Sequence, residues 1–477
     1  MSRTGIVCTI GPRSLDDSKL LSMWKKGMTV ARLNGSHNNL DWHSNAVKII
    51  RDTLPELPIL LDIPGRKIRT TQLQHEPEFK IGEQIILTTD ITYKGKSKVP
   101  VNYESLHEFL KPNHIILADD GTLRFTVNKV EGRDIYCEAN TEGKLKSAKG
   151  INVPFVPLNI PEVTPKDELM VEFACNINVD FIGLSFVESA AHITAFKNLI
   201  GSSSPRIVAK VENQGGLDKV NEIAREADAI MVDRGDLSVE TSLFDVALFQ
   251  KQIINAASKF GRPVIIATEM LHTMIENPFP TKAEVSDITN AVIDGCAATM
   301  LSGETAVGDY PQEAICLMNS VAHSSEEFVQ KKLDLEAPNV GDTIPEVMGE
   351  TIKTLCRALP ITKIVAITRS GFAARMIAVH MPTQPIIAVS DDASAARSFN
   401  LFPGTQGVYS NTPFPKENIN HFGTTLEMLW RRDLLVDQDL VLATGVTYPH
   451  TGNRMNAVQI NSISHLRASL NWDKNKS

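Results

Sequence analysis

The sequence predicts an α/β protein: a (β/α)8 (TIM) barrel with an inserted small all-β domain and a C-terminal α/β domain. Three observations predict this fold. Eight apolar runs of strand length alternate with helix-period segments over residues 1–70 and 157–341, as expected of a barrel of parallel strands. The helical period is lost over residues 71–156. A new alternation of strands and helices occupies residues 342–477.

The barrel strands are inferred from short apolar runs without a polar face, a pattern typical of strands buried on both sides. These runs are Gly5–Ile10, Met28–Leu33, Ile59–Leu61, Phe181–Phe186, Ile207–Val211, Ala229–Val232, Pro263–Ala267 and Ala298–Leu301. Segments such as Leu217–Ala227 and Val246–Lys259 have helical spacing. A doubly wound sheet is the rival interpretation, and it lacks support because no GxGxxG follows any of these runs.

The insert is predicted from short β-type runs separated by the turn signals Asp120-Gly121 and Glu131-Gly132. Its runs are Gln84–Thr88, His114–Ala118, Leu123–Val127 and Asp134–Glu138. Inserts at this face of a barrel commonly act as lids that exclude water. The C-terminal domain is predicted from helices at Glu346–Leu359, Phe372–Met381 and Thr424–Leu435 and strands at Ile364–Thr368, Pro385–Ser390 and Leu440–Thr444.

Composition excludes several classes of protein. The chain has 48 Lys and Arg against 56 Asp and Glu, a net charge of −8, which argues against nucleic-acid or anionic-membrane partners. Its hydrophobic content of 42% excludes wholesale disorder. The six cysteines form no CxxC, and no run reaches a membrane span. We therefore expect a soluble cytoplasmic protein without disulfides or zinc.

Polar residues follow six of the eight predicted strands. Lys210 and Glu212 are two apart on one strand, so they point to the same side, here the barrel interior. A single such pair could be a plain ion pair, but six polar strand ends would bury several groups without compensation. A shared site is the better interpretation. Its members are Arg32, Asn34, Ser36, His37, Asp62, Lys67, Arg69, Lys210, Glu212, Arg234, Gly235, Asp236, Thr268, Glu269, Ser302 and Glu304.

These residue types suit phosphoryl transfer. The carboxylates of Glu212 and Asp236 are hard oxygen ligands for Mg²⁺ or Mn²⁺. Arg32, Arg69 and Lys210 are cations suited to a phosphate, and the N–H groups of Gly235 and Asp236 could bind a carboxylate where a helix begins. A metal ion and cations around a phosphate are what phosphoryl transfer requires. The chain has no GxxxxGK[ST], so a P-loop is excluded.

Ten ordered motifs carry a family resemblance. They are IVCTIGPRS, VARLNGSH, LLDIPGRKIRT, LADDGTL, KGINVP, GLSFVES, AKVENQGG, IMVDRGDLSVE, ATEMLHTMIENPFPTKAEVSDITNAVIDG and MLSGETAVGDYP. In order and spacing they resemble pyruvate kinase across the barrel and insert, and more loosely in the C-terminal domain. The resemblance implies that phosphoenolpyruvate and ADP are converted to pyruvate and ATP.

The resemblance also implies individual roles. Lys210 would neutralise the transferring phosphoryl group and Arg32 would bridge it, while Glu212 and Asp236 would bind the divalent metal. The N–H groups of Gly235 and Asp236, with Thr268, would bind the substrate carboxylate, and Thr268 would lie on the proton route to the enolate. The residues on the nucleotide side would be Asn34, His37, Arg69 and, from the closing insert, Lys149.

One departure from the family pattern concerns a monovalent cation. Family members that need K⁺ hold it at positions matching Asn34, Ser36, Asp62 and the backbone of Ile63, with a Glu where this chain has Lys67. Members with Lys there do not need K⁺, since a tethered ammonium can supply the same charge. We therefore predict activity without K⁺. The alternative is that Lys67 only forms a salt bridge with Asp62.

Two further departures are extra carboxylates. Asp233 stands where the family usually has Ala, and Glu269 where it usually has Gln. They could perturb each other's pKa or recruit a cation, or be surface acids without consequence. In the C-terminal domain, Thr368, Ser370 and Gly371 match a turn that holds a sugar-phosphate activator in the family. Two of its ligands are missing here, so another phosphorylated effector, or none, is equally open.

Two alternatives to pyruvate kinase stay open. A metal-dependent pyruvate-enolate aldolase would share the barrel and the metal site, but it has no use for a nucleotide lid bearing Lys149. A catalytically silent ligand-binding paralogue is disfavoured by the retention of Lys210, Glu212, Asp236 and Thr268. The resemblance further suggests a homotetramer.

Overall fold

The computed structural model describes residues 2–65, 67–119, 121–156, 158, 161–202, 204–333, 343–411, 421–446 and 455–473. The predicted domain limits at residues 1, 157, 341, 342 and 477 lie outside the described residues, and so does Asp120 of the predicted Asp120-Gly121 turn. The chain begins with five regular elements, which are β1 (Gly5–Thr9), α1 (Asp17–Lys26), β2 (Val30–Asn34), α2 (Leu40–Thr53) and β3 (Ile59–Ile63).

The insert follows β3 and is almost entirely β structure. Its elements are β4 (Ile68–Arg69), β5 (Glu78–Phe79), β6 (Gln84–Thr88), β7 (Val99–Pro100), α3 (Leu106–Phe109), β8 (Ile115–Ala118), β9 (Leu123–Glu131), β10 (Asp134–Ala139), β11 (Gly143–Lys144) and β12 (Gly150–Asn152). Seven strands form one sheet in the order β4-β12-β8-β9-β10-β6-β7, and β11 pairs with β5. The first and last strands, β4 and β12, pair with each other in antiparallel fashion. The chain therefore enters and leaves the insert through one ribbon.

The barrel resumes after the insert. Its elements are α4 (Pro165–Asn176), β13 (Phe181–Leu184), α5 (Ala190–Ile200), β14 (Arg206–Val211), α6 (Gln214–Asp218), α7 (Val220–Glu226), β15 (Ala229–Asp233), α8 (Arg234–Glu240), α9 (Val246–Ser258), β16 (Val264–Ala267), a 3-10 helix (His272–Ile275), α10 (Lys282–Ile293), β17 (Ala298–Leu301), α11 (Gly303–Ala306) and α12 (Pro311–Leu333). Several helices begin where the sequence signals it. Thr164 and Thr281, for example, form capping boxes at α4 and α10.

Eight parallel strands close into a barrel in the order β1-β17-β16-β15-β14-β13-β3-β2. All eight predicted runs are strands of this barrel, and the prediction of a (β/α)8 fold is confirmed. The strands are buried along almost their whole length, because helices cover the outside and side chains fill the interior. The carboxyl ends of the strands consequently meet at one rim, where the polar residues were expected.

The C-terminal part of the chain is an α/β unit. Its elements are α13 (Ile344–Ala358), β18 (Lys363–Ile367), α14 (Phe372–Val379), β19 (Ile386–Ser390), α15 (Ala393–Ser398), a 3-10 helix (Phe399–Leu401), β20 (Thr405–Tyr409), α16 (His421–Arg431), β21 (Leu440–Gly445), β22 (Ala457–Ser462) and α17 (Ile463–Leu470). The sheet order is β20-β19-β18-β21-β22. Only β22, at one edge, is antiparallel to its neighbour among the described strands.

A buried carboxylate joins the barrel to this C-terminal unit. Asp180, immediately before β13, is fully buried. Its Oδ2 lies 2.6 Å from an Arg51 nitrogen on α2, and its Oδ1 lies 2.8 Å from Arg397 Nε on α15. Asp180 Oδ2 also accepts a hydrogen bond from the backbone N–H of Ile59. One side chain thereby ties a barrel helix, a barrel strand and the C-terminal unit together.

Across the described residues, every helix is either too short or too polar to cross a membrane.

Candidate active site

The inner side of the rim at β14 carries a buried ion pair. Lys210 lies in β14 and Glu212 follows its last residue. Lys210 Nζ lies 2.7 Å from Glu212 Oε1. Two further carboxylate oxygens lie near the same nitrogen, from Asp233 at 3.4 Å and Asp62 at 3.7 Å. Lys210 is 6% exposed and Glu212 0%. The ammonium is therefore held away from water by carboxylates from three strand ends.

A buried arginine lies beside this group. Arg32, on β2, donates hydrogen bonds of 2.9 and 2.7 Å from Nε and Nη2 to Asp62 Oδ2 on β3. Its Nη1 donates a third, of 2.9 Å, to Thr9 Oγ1 on β1. Asp62 is shared between Arg32 and Lys210. Two cations are thus fixed next to each other through one carboxylate, which is the arrangement needed to hold a doubly charged phosphoryl group.

Three carboxylates converge at the adjoining strand ends. One oxygen from each of Glu212, Asp233 and Asp236 lies within 4.8 Å of the others. Asp236, in the first turn of α8, forms an ion pair with Lys67 Nζ, which reaches across from the segment before β4. Carboxylate oxygens grouped in this way suit a hard divalent cation such as Mg²⁺ or Mn²⁺. The donor set therefore fits a divalent metal ion.

The electrostatics of the cluster also favour a cation. Burial and the nearby Asp233 and Asp236 carboxylates raise the pKa of Glu212 above its ordinary value, although Lys210 opposes them. Burial and Asp233 likewise raise the pKa of Asp236, against the effect of Lys67. For Lys210, burial disfavours the charged form, but the surrounding carboxylates outweigh it and raise the pKa. Lys210 and Lys67 therefore do not fully balance the charge of the Glu212 and Asp236 carboxylates.

A hydrogen bond from a backbone N–H to a side-chain hydroxyl joins the ends of β15 and β16. Gly235 N–H, in the first turn of α8, donates to Thr268 Oγ1 at 2.9 Å. Thr268 and the next residue, Glu269, both have left-handed backbones, with φ of +66° and +55°, a conformation that costs non-glycine residues energy. Arg234 Nη2 supports the turn by donating to the Thr268 carbonyl at 2.7 Å. Thr268 Oγ1 is consequently held at the mouth of the barrel.

The residues expected on the nucleotide side lie on two segments. Asn34 ends β2, and its side-chain oxygen accepts the Ser36 N–H at 3.1 Å, while His37 is exposed. Arg69 and Lys149 lie at the insert ribbon, where Arg69 Nη1 donates to the Ala148 carbonyl at 3.1 Å. Lys149 Nζ forms an ion pair of 2.6 Å with Asp119.

The residues expected around a monovalent cation each contact a different partner. The Ile63 carbonyl accepts a hydrogen bond of 3.0 Å from Ser185 Oγ. Asp62 pairs with Arg32 at 2.7 Å, and Lys67 Nζ contacts Asp236. The Lys67 ammonium thus lies against the carboxylate cluster.

A cleft of about 390 Å³ opens between the insert and the barrel beside this cluster. Lys67 and Phe186 connect it to the cluster, and Glu240 and Asn152 line its wall. Asn152 Nδ2 donates to Glu240 Oε1 at 2.5 Å. Burial raises the pKa of Glu240 to about 7, with Asp236 adding to the effect and Asn152 opposing it.

The C-terminal turn at Thr368–Gly371 lies away from the rim, on the α/β unit. Gly371 has φ of +79°, and a Cβ there would lie 2.6 Å from the Phe399 ring, so glycine is required. Arg369 pairs with Asp391 at 2.9 Å, and the Ser370 carbonyl accepts a hydrogen bond from Arg206 at 3.4 Å. The turn is therefore built into contacts with its neighbours.

Comparison with known proteins identifies the family. The pyruvate kinase barrel domain matches residues 1–315, and the pyruvate kinase alpha/beta domain matches residues 346–461. The chain belongs to the pyruvate kinase family. The pyruvate kinase of Bacillus licheniformis is 38% identical, with 85% of this chain and 71% of that protein covered. The enzyme of Geobacillus stearothermophilus is 36% identical, with 98% and 81% covered, and that of Clostridium perfringens is 36% identical, with 84% and 87% covered.

Membership of the pyruvate kinase family confirms the predicted function. The chain is a glycolytic phosphotransferase whose substrates are phosphoenolpyruvate and ADP, and enzymes of the family use a divalent metal ion. Among the rim residues chosen from the sequence, contacts join Arg32, Asp62, Lys210 and Glu212 into one buried group. Contacts likewise join Gly235 to Thr268 and Asp236 to Lys67.

Four residues of the site were missed by reasoning from the sequence. Thr9 and Ser185 donate or accept hydrogen bonds within the buried group, and Asn152 and Glu240 pair across the cleft. Thr9 and Ser185 end or follow barrel strands, so their position at the rim was available as a signal. Asn152 and Glu240 carry no such signal, since only the folded insert brings them together.

Proposed function

We propose that Lys210 and Arg32 carry the phosphoryl transfer from phosphoenolpyruvate to ADP. The observation that supports this is the burial of the Lys210 ammonium among carboxylates, with Arg32 fixed beside it through Asp62. In the reaction a β-phosphate oxygen of ADP attacks phosphorus, and the bond from phosphorus to the enol oxygen breaks. Lys210 and Arg32 neutralise the charge on the phosphoryl oxygens while the phosphoryl group passes from the enol oxygen to the β-phosphate oxygen of ADP.

Glu212 and Asp236 are the residues that would hold the divalent ion, Mg²⁺ or Mn²⁺. When bound, the ion supplies positive charge to substrate oxygens. Support comes from the convergence of their carboxylates and from the raised pKa of each, which a cation would relieve. K⁺ is not required in this proposal, because Lys67 brings a permanent charge to the same cluster.

The substrate carboxylate is bound by the N–H groups of Gly235 and Asp236 at the start of α8, together with Thr268 Oγ1. The first-turn position of both residues supports this role. Gly235 N–H gives up its bond to Thr268 Oγ1 when the carboxylate binds. Thr268 then delivers a proton toward the enolate carbon, directly or through a water, which completes the formation of pyruvate.

The nucleotide lies between the barrel rim and the insert. Asn34 and His37 contribute from the loop after β2, and Arg69 and Lys149 contribute from the ribbon. The insert acts as a lid that brings Lys149 over the phosphates. The ion pair between Lys149 and Asp119 would have to open for this contact.

The remaining predictions concern organisation. We propose three units, 1–70 with 157–341, 71–156, and 342–477, supported by separate hydrophobic clusters in the barrel, the insert and the C-terminal part. The insert cluster begins at Ile68. A homotetramer and a cytoplasmic location are also proposed from the family resemblance. Thr368, Ser370 and Gly371 stay a predicted effector turn, which a screen of phosphorylated effectors would test.

A coupled assay for pyruvate tests the central proposal. With phosphoenolpyruvate, ADP and Mg²⁺, the protein should form pyruvate, and Lys210→Met should lower turnover by about 10³-fold or more, in the range of losing a charge-stabilising group. Lys259→Met, an exposed lysine on the barrel, is the matched control and should retain activity. Undiminished turnover in Lys210→Met would overturn the assignment. Absence of pyruvate formation from phosphoenolpyruvate would contradict the kinase assignment. Release of pyruvate from a 4-hydroxy-2-oxo acid would then indicate the aldolase alternative, and no turnover of either substrate would indicate the silent paralogue.

A further inference from the structure

Asp233 lies beside the two proposed metal ligands, Glu212 and Asp236. It is the last residue of β15 and the residue before α8, and it is 7% exposed. We propose that Asp233 is a third protein carboxylate of the divalent metal centre. This inference rests on the proposed function, in which Glu212 and Asp236 hold the ion.

The distances permit one ion to reach all three carboxylates. Ligand oxygens from Glu212, Asp233 and Asp236 lie within 4.8 Å of one another. Two oxygens on an octahedral ion with bonds of about 2.1 Å are about 3 Å apart when adjacent and about 4 Å apart when opposite. A movement of at most about 1 Å per side chain therefore brings the three oxygens into coordination range.

The carboxylate of Asp233 is not used as a helix cap. Aspartate at this position normally accepts a hydrogen bond from a backbone N–H in the first turn of the helix. At α8 the Asp233 side chain makes no such bond. Instead Asp233 Oδ2 faces Lys210 Nζ at 3.4 Å. The side chain is thus directed into the cluster rather than along the helix that it precedes.

The charge balance of the cluster explains why a third carboxylate would help it to bind a cation. Metal binding requires the ionised forms of Glu212, Asp233 and Asp236. These carry three negative charges, and Lys210 and Lys67, which contact them, carry two positive charges. The difference leaves one net negative charge to attract a cation. Without Asp233 the same group would be neutral, because Lys67 already occupies Asp236. Asp233 therefore offsets the extra ammonium that Lys67 brings.

Mn²⁺ binding measured without substrates tests the inference. The signal of free Mn²⁺ in electron paramagnetic resonance gives the bound fraction, and activity plays no part in the readout. Asp233→Asn should raise the Mn²⁺ dissociation constant by at least about tenfold, the lower limit for loss of even an outer-shell partner. Asp52→Asn makes the same change at an exposed aspartate of α2, and it should leave the constant unchanged.

Two further variants separate the possible failures. Glu212→Gln should weaken Mn²⁺ binding if the proposed metal pair is correct, and normal binding in that variant would refute the proposed metal site itself. Weakened binding in Glu212→Gln together with unchanged binding in both Asp233→Asn and Asp233→Ala would overturn only the third ligand. If Asp233→Asn does not fold, as shown by circular dichroism, Asp233→Ala decides by the same measurement. If neither folds, Asp233 is a structural partner of Lys210 and the inference fails.

Discussion

Replacing Glu240 with glutamine should stabilise the protein at alkaline pH and change it little near pH 5. Glu240 lines the cleft between the insert and the barrel and accepts a hydrogen bond from Asn152. Burial raises its pKa from an ordinary value of 4.5 to about 7. The folded protein therefore holds a proton on Glu240 at pH values where the unfolded chain has lost it, and stability falls as the pH rises from 4.5 towards 7.

The magnitude follows from the two pKa values. Each pH unit between them corresponds to about 1.4 kcal/mol. The ionised carboxylate thus costs the folded state about 0.8 kcal/mol at pH 5 and about 3 kcal/mol at pH 8. Glu240 keeps some contact with solvent, which screens part of this cost. Glutamine, which stays neutral, should therefore gain at most about 2 kcal/mol more at pH 8 than at pH 5.

The hydrogen bonds of the site support the same substitution. Asn152 Nδ2 can donate to a glutamine oxygen as it does to Glu240 Oε1. The buried Asn152 Oδ1 accepts no hydrogen bond from the residues that the structure describes, and the glutamine amide offers it a donor. Such pairing relieves a buried polar atom whose isolation costs about 1–3 kcal/mol.

The assay is thermal unfolding of the full chain in EDTA between pH 5 and pH 8. The melting temperature of Glu240→Gln should exceed that of the wild type by about 2–4 °C more at pH 8 than at pH 5. Glu142→Gln, an exposed glutamate of the insert, is the control and should show no such trend. An advantage for Glu240→Gln that is equal at both pH values, or a loss at both, would refute the raised pKa.

Three other predictions can be checked directly. Wild-type protein should be active in Tris or Na⁺ buffer without K⁺, and Lys67→Glu should make activity depend on added K⁺; a wild type that is inactive until K⁺ is supplied would contradict this. Gly183→Ala should destabilise by about 1–3 kcal/mol in denaturant titrations, because a Cβ at Gly183 collides with Asp62 Oδ1; an unchanged midpoint would show that the backbone adapts. Asp180→Asn should lower the free energy of unfolding by about 3–5 kcal/mol, since it leaves Arg397 without its buried charged partner. An unchanged free energy of unfolding would show that Asp180 does not hold the barrel and the C-terminal unit together.

Long apolar runs made the barrel predictable. Ala229–Val232 and Pro263–Ala267 are uninterrupted, and each coincides with a strand of the closed barrel. The two-residue strands of the insert, such as Ile68–Arg69 and Gly143–Lys144, were not predicted. Two residues cannot show a period of two, and their pairing is set by partners far away in the chain. In the C-terminal unit the edge strand Ala457–Ser462 was missed as well; both its faces retain exposure, so no apolar run marks it.

The residues of the site were predictable where the backbone alone places them. Lys210 and Glu212 stand at a strand end, so periodicity puts them together at the rim. The partner of Lys67 was not predictable, since its long side chain could reach either Asp62 or Asp236. In the fold Lys67 contacts Asp236. The same limitation applies to Asp233, whose place beside Lys210 depends on the closure of the barrel.

The ribbon formed by β4 and β12 determines how the insert can move. Both chain crossings are hydrogen-bonded to each other, with Ile151 opposite Ile68 and Gly150 opposite Arg69, so the insert pivots on a single paired hinge rather than on two independent tethers. Lys67 directly precedes this hinge, and a Cβ on Gly150 would lie 2.7 Å from Lys67 Cε. A rotation of the insert about this ribbon would therefore move the Lys67 ammonium relative to Asp236. A movement of the insert would therefore change how much of the Asp236 charge the Lys67 ammonium balances at the reaction centre.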